Sequence, residues 1–204
     1  RREIAMRIVG IGGGTPEGTT TALLEQALVA AADEGKYLGF DIDTEIVQLH
    51  EITKSFHRGA FDFPDWVRPT FELMSDEESQ GFIFATPVQQ YGMTPIMKNL
   101  LDYMTSMEDD DTGFHSLIGR IFGVIVHCHE DGGMQTALAI CGALDGFGMA
   151  KPGHGLFFQN ENGKDRSEHR WQEKDHLLVG QNVARLALRN SDHFVEVNNW
   201  KLRR

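Results

Sequence analysis

A doubly wound α/β fold is what this sequence predicts, on three observations. Short runs rich in Val, Ile and Phe alternate with longer segments of helical periodicity. Residues 81–86 are continuously apolar, as a strand covered on both faces is, and residues 120–128 are largely so. The first run passes through a Gly/Thr loop directly into a helical pattern. Parallel neighbours need a crossover, and the crossover is right-handed, so five such strands imply a parallel sheet wrapped on both faces by helices.

Residues 4–10 read as the first strand. Residues 20–34 follow as a helix, with Leu23, Leu24, Ala27, Leu28 and Ala31 on one face. Residues 44–49 give a second strand, 81–86 a third and 94–106 a helix. Residues 120–128 carry the strongest strand signal and lead into a helix over 133–147. Residues 155–159 form the fifth strand, and 173–189 a closing amphipathic helix with a short tail after it. The acidic run 108–111 and the polar stretch 160–174 read as surface loops. No linker or internal repeat interrupts the pattern, so residues 1–204 read as a single domain.

Composition narrows the function. The net charge of −11 disfavours nucleic acid, whose backbone is gripped by clustered Lys and Arg. With 41% hydrophobic residues and no apolar run near the ~18 residues of a membrane span, no membrane role is expected. Two cysteines, Cys128 and Cys141, speak for a reducing compartment rather than a disulfide framework, and both read as small hydrophobes. The first six residues lack the apolar core of a secretion signal, and a cytoplasmic location is the expectation.

The loop from Gly10 to Thr21 reads as an anion cradle. Glycines let the backbone approach a ligand closely, the helix N-terminus offers unpaired N–H groups and a favourable dipole, and Thr19, Thr20 and Thr21 add hydroxyls. The plainer reading is that the threonines cap the helix and the glycines turn the chain. No Gly-Lys-Ser/Thr closes a Walker loop, and the third glycine of Gly-x-Gly-x-x-Gly is missing, so a single phosphomonoester fits best.

In an open parallel sheet, ligands bind beyond the carboxyl ends of the strands, where strand order reverses. That singles out two further loops, residues 86–95 and 129–135. All three are rich in backbone and poor in nucleophiles, and no Gly-x-Ser-x-Gly elbow is present. They suit a flat heterocycle that itself carries the chemistry. His127, His129 and Glu130 suggest a metal site only if His154, His169 or His176 joins them, and no metal is expected.

Three motifs resemble a known family. Gly14-Thr-Pro-Glu-Gly-Thr-Thr20 is similar to a Gly-Ser-Pro-Arg loop followed by Ser/Thr. Thr86-Pro-Val88 with Met97-Lys-Asn-Leu-Leu-Asp102 resembles a Thr/Ser-Pro-x-Tyr loop and its Leu-Lys-Asn-x-Ile/Leu-Asp helix. Gly132-Gly-Met-Gln135 resembles a Gly-Gly-x-x junction. In this order they resemble the NADPH-dependent FMN reductases, which include azoreductases, quinone reductases and iron–sulfur flavoproteins. The resemblance implies a flavodoxin-like three-layer sandwich with a five-stranded parallel sheet of order 2-1-3-4-5.

It also implies an FMN site. Thr15, Thr19, Thr20 and Thr21 would hold the phosphate, with Glu17 in the same loop. Pro87, Val88, Gln89, Gln90, Tyr91 and Gly92 would line the isoalloxazine and ribityl chain, and His129, Glu130, Asp131, Gly132 and Gly133 would border the pyrimidine edge. The implied activity is an FMN-dependent oxidoreductase with NADPH or NADH as donor, reducing a quinone, azo compound, free flavin or similar small-molecule acceptor, with no catalytic side chain. The alternative is an FMN-binding electron carrier without its own nicotinamide site. Glu17 replaces the family's Arg, and Gln89 a common Tyr. No cysteine lies between Leu49 and Gly81, which argues against an iron–sulfur centre.

A homodimer or homotetramer is a further implication. Met93, Met97, Met104 and Met107 recur at helix-compatible spacing, either as core or as a subunit interface. The aromatics Phe56, Phe61, Phe63, Trp66 and Phe71 read as loop anchors or as a wall beside the flavin.

Overall fold

The computed structural model describes residues 6–59, 64–108, 117–160 and 174–190. Five parallel strands form the sheet: β1 (Met6–Gly12), β2 (Ile42–Gln48), β3 (Ser79–Gln89), β5 (Ile121–Cys128) and β6 (Leu156–Asn160), in the order β2-β1-β3-β5-β6. A two-residue strand, β4 (Gly92–Met93), pairs antiparallel with the end of β3. Apart from that hairpin, the order is the expected 2-1-3-4-5.

Every residue of β5 is buried, as are Ser79 to Thr86 of β3, which explains why those two strands were legible as largely apolar runs. On one face lie α1 (Thr19–Leu38) and α6 (Asp175–Asn190). Leu24, Ala27 and Ala31 pack there against Val179, Val183 and Ala184, over Ile8, Ile83 and Ile125 of the sheet. The helices cross at Gly180, where an added Cβ would stand 1.9 Å from the Ala27 carbonyl oxygen. His176 and Gln26 tie the same pair of helices, Nε2 to Oε1, at 2.8 Å.

The opposite face carries α3 (Arg68–Ser75), α4 (Pro95–Met104) and α5 (Gly133–Gly146), with Phe71, Met97 and Ile140 over Val9, Phe84 and Val124. A single turn, α2 (Leu49–Ile52), follows β2. Met97 and Met104 are fully buried in this layer, as are Leu100 and Leu101, so these residues belong to the core and not to a subunit interface. Met93 is half-buried against it; the Met107 side chain lies outside the described residues. Among the described residues, no helix is long and apolar enough to cross a membrane.

At the amino-terminal edge of the sheet, the Arg7 guanidinium reaches Asp76 at 2.9 Å, Glu78 at 3.5 Å and Glu45 at 3.7 Å, joining β1 to β2 and to the turn before β3. The opposite edge carries the loops.

Element limits differ from the sequence reading where glycine is involved. β1 runs to Gly12, because Gly10 and Gly12 stay in register with Ile46 and Gln48 of β2 and with Ile83 and Ala85 of β3. Residues 4 and 5 of the expected first strand, the loop 108–111 beyond its first residue, most of 160–174, Phe61, Phe63, His169 and the tail after 190 fall outside the described residues.

Candidate functional site

The three loops singled out in the sequence meet at the carboxyl edge of β1, β3 and β5, at the point where the strand order reverses. The first loop folds back on itself. The Thr15 carbonyl accepts the Gly18 N–H at 3.0 Å and the Thr21 hydroxyl at 2.7 Å. Gly18 is the N-cap of α1, and no side chain caps the helix. The threonines are therefore not caps, while Gly18 does turn the chain.

The N–H groups of Thr19, Thr20 and Thr21 point out of the first turn without intrahelical acceptors, and no acidic residue lies in that turn. Thr15 and Thr19 are exposed, Thr20 and Thr21 buried, and the Thr21 hydroxyl is already committed to Thr15. Glu17 is exposed at the top of the loop.

The second loop abuts the first. A Cβ placed on Gly14 would meet Thr20 Cβ at 3.2 Å and Pro87 Cδ at 3.7 Å. The chain then turns through a two-residue hairpin, Val88 opposite Met93 and Gln89 opposite Gly92. Its central residues, Gln90 and Tyr91, have φ of +47° and +63°. Both are left-handed, the signature of a type I′ turn, which glycine or asparagine usually occupies. Neither residue is of that kind, so the turn carries backbone strain of about 1–3 kcal/mol per residue held by its surroundings.

What holds it is the third loop. Gly132, the N-cap of α5 with φ +92°, passes so close that a Cβ there would lie 2.9 Å from Tyr91 Cα and 3.1 Å from Val88 Cγ1. Between the hairpin and this loop opens a cleft of about 210 Å³ lined by Val88, Gln90, Tyr91, Cys128, His129, Glu130 and Asp131. Six of the seven were expected. Cys128 was read as core; it is buried, donates its thiol to the Gln159 carbonyl at 3.2 Å and still forms part of the wall. The clue available was its place as the last residue of a strand ending at the site.

Pro87 and Gly92 are half-buried at the hairpin base, Gln89 is exposed, and Gly132 and Gly133 are buried under the cleft. Two carboxylates and no Lys or Arg line it. His127 is buried and His129 exposed, with ring centroids 5.7 Å apart, so both do share one face as alternation requires. Among the described residues, no three His, Cys, Asp or Glu converge on a possible metal. His176 is engaged with Gln26 and packs on Phe157.

None of the described residues of the aromatic stretch lines the cleft. Trp66 donates to Ser55 Oγ at 2.9 Å and stands edge-on to Tyr103, as His57 does. Asn99, the asparagine of the Lys-Asn-Leu-Leu-Asp segment, accepts the His57 N–H at 2.7 Å and donates to the Ser55 carbonyl at 2.9 Å. That motif pins the segment after β2 onto α4. Phe56 is exposed and Phe71 is core.

Two residues of the 86–95 loop that were not among the expected site residues join the loops. Thr86, on β3, and Thr94, the N-cap of α4, face each other through their hydroxyls at 3.2 Å, and Thr94 donates to the Gly13 carbonyl at 3.0 Å. Thr94 is separated from Gly13 by 81 positions. Its role as helix cap is legible from the Thr-Pro pair; its reach across the sheet is not.

Comparison with known proteins agrees with this architecture. The family model described as NADPH-dependent FMN reductase matches residues 6–163. An iron–sulfur flavoprotein of Methanocaldococcus jannaschii is 29% identical over 143 residues, covering 65% of this chain and 68% of the relative. Among solved structures, RosB with its bound intermediate 8-demethyl-8-formylriboflavin-5'-phosphate superposes with a TM-score of 0.71 at 17% identity, covering 92% of this chain and 81% of that one. A flavodoxin from the domain Archaea superposes with a TM-score of 0.55 at 14% identity, over 89% and 98% of the two chains. The fold is flavodoxin-like.

Proposed function

The chain belongs to the NADPH-dependent FMN reductase family, and from that premise we propose that it is an FMN-dependent NAD(P)H oxidoreductase acting on a quinone, azo compound, free flavin or similar small acceptor. The observation that carries the reading is the uncapped N-terminus of α1, with three unpaired N–H groups and no acid in its first turn, set beside the β3 and β5 loops at the switch point.

These residues fit FMN. The amides of Thr19, Thr20 and Thr21, with the exposed Thr15 and Thr19 hydroxyls, would hold the phosphate monoester. The buried Thr21 hydroxyl shapes the loop by bonding Thr15, so its contribution to the ligand is through the backbone. Glu17, at the top of the same loop, sets the local charge. Pro87 to Gly92 would border the ring and ribityl chain, and His129 to Gly133 the pyrimidine edge. FMN held there would supply the redox chemistry between a nicotinamide donor and the acceptor.

The protein's task is then orientation and exclusion of water. The strained Gln90–Tyr91 turn fixes one wall, and Gly132 fixes its distance from the other. No side-chain acid, base or nucleophile is required. The archaeal relative is named an iron–sulfur flavoprotein; a four-thiolate cluster would need more cysteines than the two of this sequence, at positions 128 and 141.

The carboxylates at the cleft, Glu130 and Asp131, with Glu17 nearby in the same edge, favour a second reading: an FMN-binding electron carrier with no nicotinamide site. Titration with FMN, followed by anaerobic stopped-flow mixing with NADH or NADPH, separates the cases. Bleaching of the flavin band supports the oxidoreductase; a flavin that binds but stays oxidised supports the carrier; a protein that binds no FMN refutes both.

A further inference from the structure

We propose that Thr94 is a positioning residue of this site, whose hydroxyl sets where the phosphate-binding loop leaves the sheet; the inference rests on the FMN reading above. Gly13 is the last residue of the loop held by the sheet, and both of its peptide groups are tied. Its N–H donates to the Ala85 carbonyl at 2.7 Å, and its carbonyl accepts the Thr94 hydroxyl at 3.0 Å. From Gly13 onward the chain is free to turn into Gly14 and Thr15.

The direction of one bond in this network is fixed, because a carbonyl only accepts. Each threonine hydroxyl has one proton and two lone pairs. Thr94 gives its proton to Gly13, so its oxygen receives from the Met97 N–H at 3.4 Å and faces the Thr86 hydroxyl at 3.2 Å. Thr86 in turn accepts the Thr94 N–H at 3.2 Å and reaches the Pro87 carbonyl at 3.0 Å. One pair of buried hydroxyls thereby connects the β1 loop, the base of the β3–β4 hairpin and the start of α4. Thr86 is 0% and Thr94 4% exposed, so water does not substitute for either.

Removing the Thr94 hydroxyl leaves the buried Gly13 carbonyl without its donor. The loop then either moves to find water or stays with an unpaired carbonyl, and in both cases the ordered cradle is lost. Val at this position keeps the shape of Thr; Ser keeps the hydroxyl. The two variants therefore separate polar anchoring from volume.

The test is FMN binding by wild type, Thr94→Val, Thr94→Ser and Met74→Ala, the last removing a buried core side chain of α3, remote from the loops. Thr94→Val should raise the FMN Kd by about tenfold or more. Thr94→Ser should restore it, and Met74→Ala should lower the melting temperature while leaving Kd at the wild-type value. In the FMN-free proteins, amide exchange over residues 14–20 should be faster in Thr94→Val than in wild type. Should Thr94→Val not fold, Thr94→Ala, which removes the same donor to the Gly13 carbonyl with a smaller side chain, carries the same expectation.

A Thr94→Val protein with wild-type Kd and wild-type loop exchange overturns the proposal, and so does a Met74→Ala protein that loses FMN to the same degree. Wild type that binds no FMN overturns the functional reading and this inference together. Wild type that binds FMN indifferently to Thr94 overturns this inference alone.

Discussion

Adding one methyl group at Gly180 tests the close crossing of α1 and α6. The built Cβ lies 1.9 Å from the Ala27 oxygen and 2.8 Å from the Ala27 carbonyl carbon, so the obstacle is backbone and no rotamer change relieves it. Reaching the 3.4 Å of ordinary contact requires the helices to part by about 1.5 Å. A gap of even ~0.5–1 Å forfeits a quarter to a half of the dispersion well for each atom pair. Leu24, Ala27 and Ala31 against Val179, Val183 and Ala184 would all lose contact at once.

Overpacking of this kind costs about 1–3 kcal/mol or more, against which the better helix propensity of Ala returns about 1 kcal/mol. Because the obstacle is backbone, the upper end of that cost applies, and Gly180→Ala should be less stable by about 2 kcal/mol, lowering Tm by about 4–8 °C in a chain of this length. Gly142→Ala is the internal comparison. It is also helical, but its added Cβ meets nothing within 4 Å, so it should be more stable than wild type by about 0.5–1 kcal/mol. Urea unfolding followed by circular dichroism, with calorimetry for Tm, measures both. Gly180→Ala matching or exceeding wild-type stability would refute the crossing described above.

Three further outcomes are expected. Thr19→Pro removes one first-turn N–H at a position where proline is compatible with the helix, and the preceding Gly18 already has the extended φ −82°, ψ 158° that proline demands. FMN affinity should fall while the melting temperature holds, and an unchanged Kd would show that this amide does not touch the phosphate. Burial holds the His176 imidazolium pKa below its usual 6.5, only partly opposed by Asp175. The unfolded chain then takes up the proton first, so stability is full above pH 6.5 and declines as pH falls below that value. His176→Gln should flatten that decline in urea midpoints between about pH 7.5 and 5.5; an equally steep curve in the variant would assign the slope elsewhere. If the oxidoreductase reading holds, Glu17→Gln/Asp131→Asn should lower KM for NADPH more than for NADH at low ionic strength. The difference should vanish near 1 M salt, where the screening length is about 3 Å, and a salt-independent ratio would argue against an electrostatic cause.

How legible each part was follows from how local its cause is. β3 and β5 are covered on both faces, so burial writes itself into the sequence as largely apolar runs. The convergence of the loops follows from strand order and needs no side-chain detail. α3 went unread, although Pro69 near its first turn is a start signal, because aromatic residues before it suggested irregular chain. β4 had no signal at all: the turn that creates it lacks the Asn-Gly or Asp-Gly pair that marks a type I′ hairpin, and its geometry is imposed by Gly132 from 40 residues downstream. Thr94 was visible as a helix start, yet its bond to Gly13 depends on two strands lying side by side.

The pairing of α1 with α6 has a consequence for synthesis. The Gln26–His176 bond spans 150 positions, so the apolar face of the first helix is made long before its cover exists. At ribosomal rates of roughly 5–20 residues per second, that interval is about 7–30 s. Throughout it, the side of α1 that meets α6, at Gln26 and Ala27, lacks its cover. α6 thus closes the layer that α1 opened, and its synthesis decides when that layer of the growing chain stops being sticky.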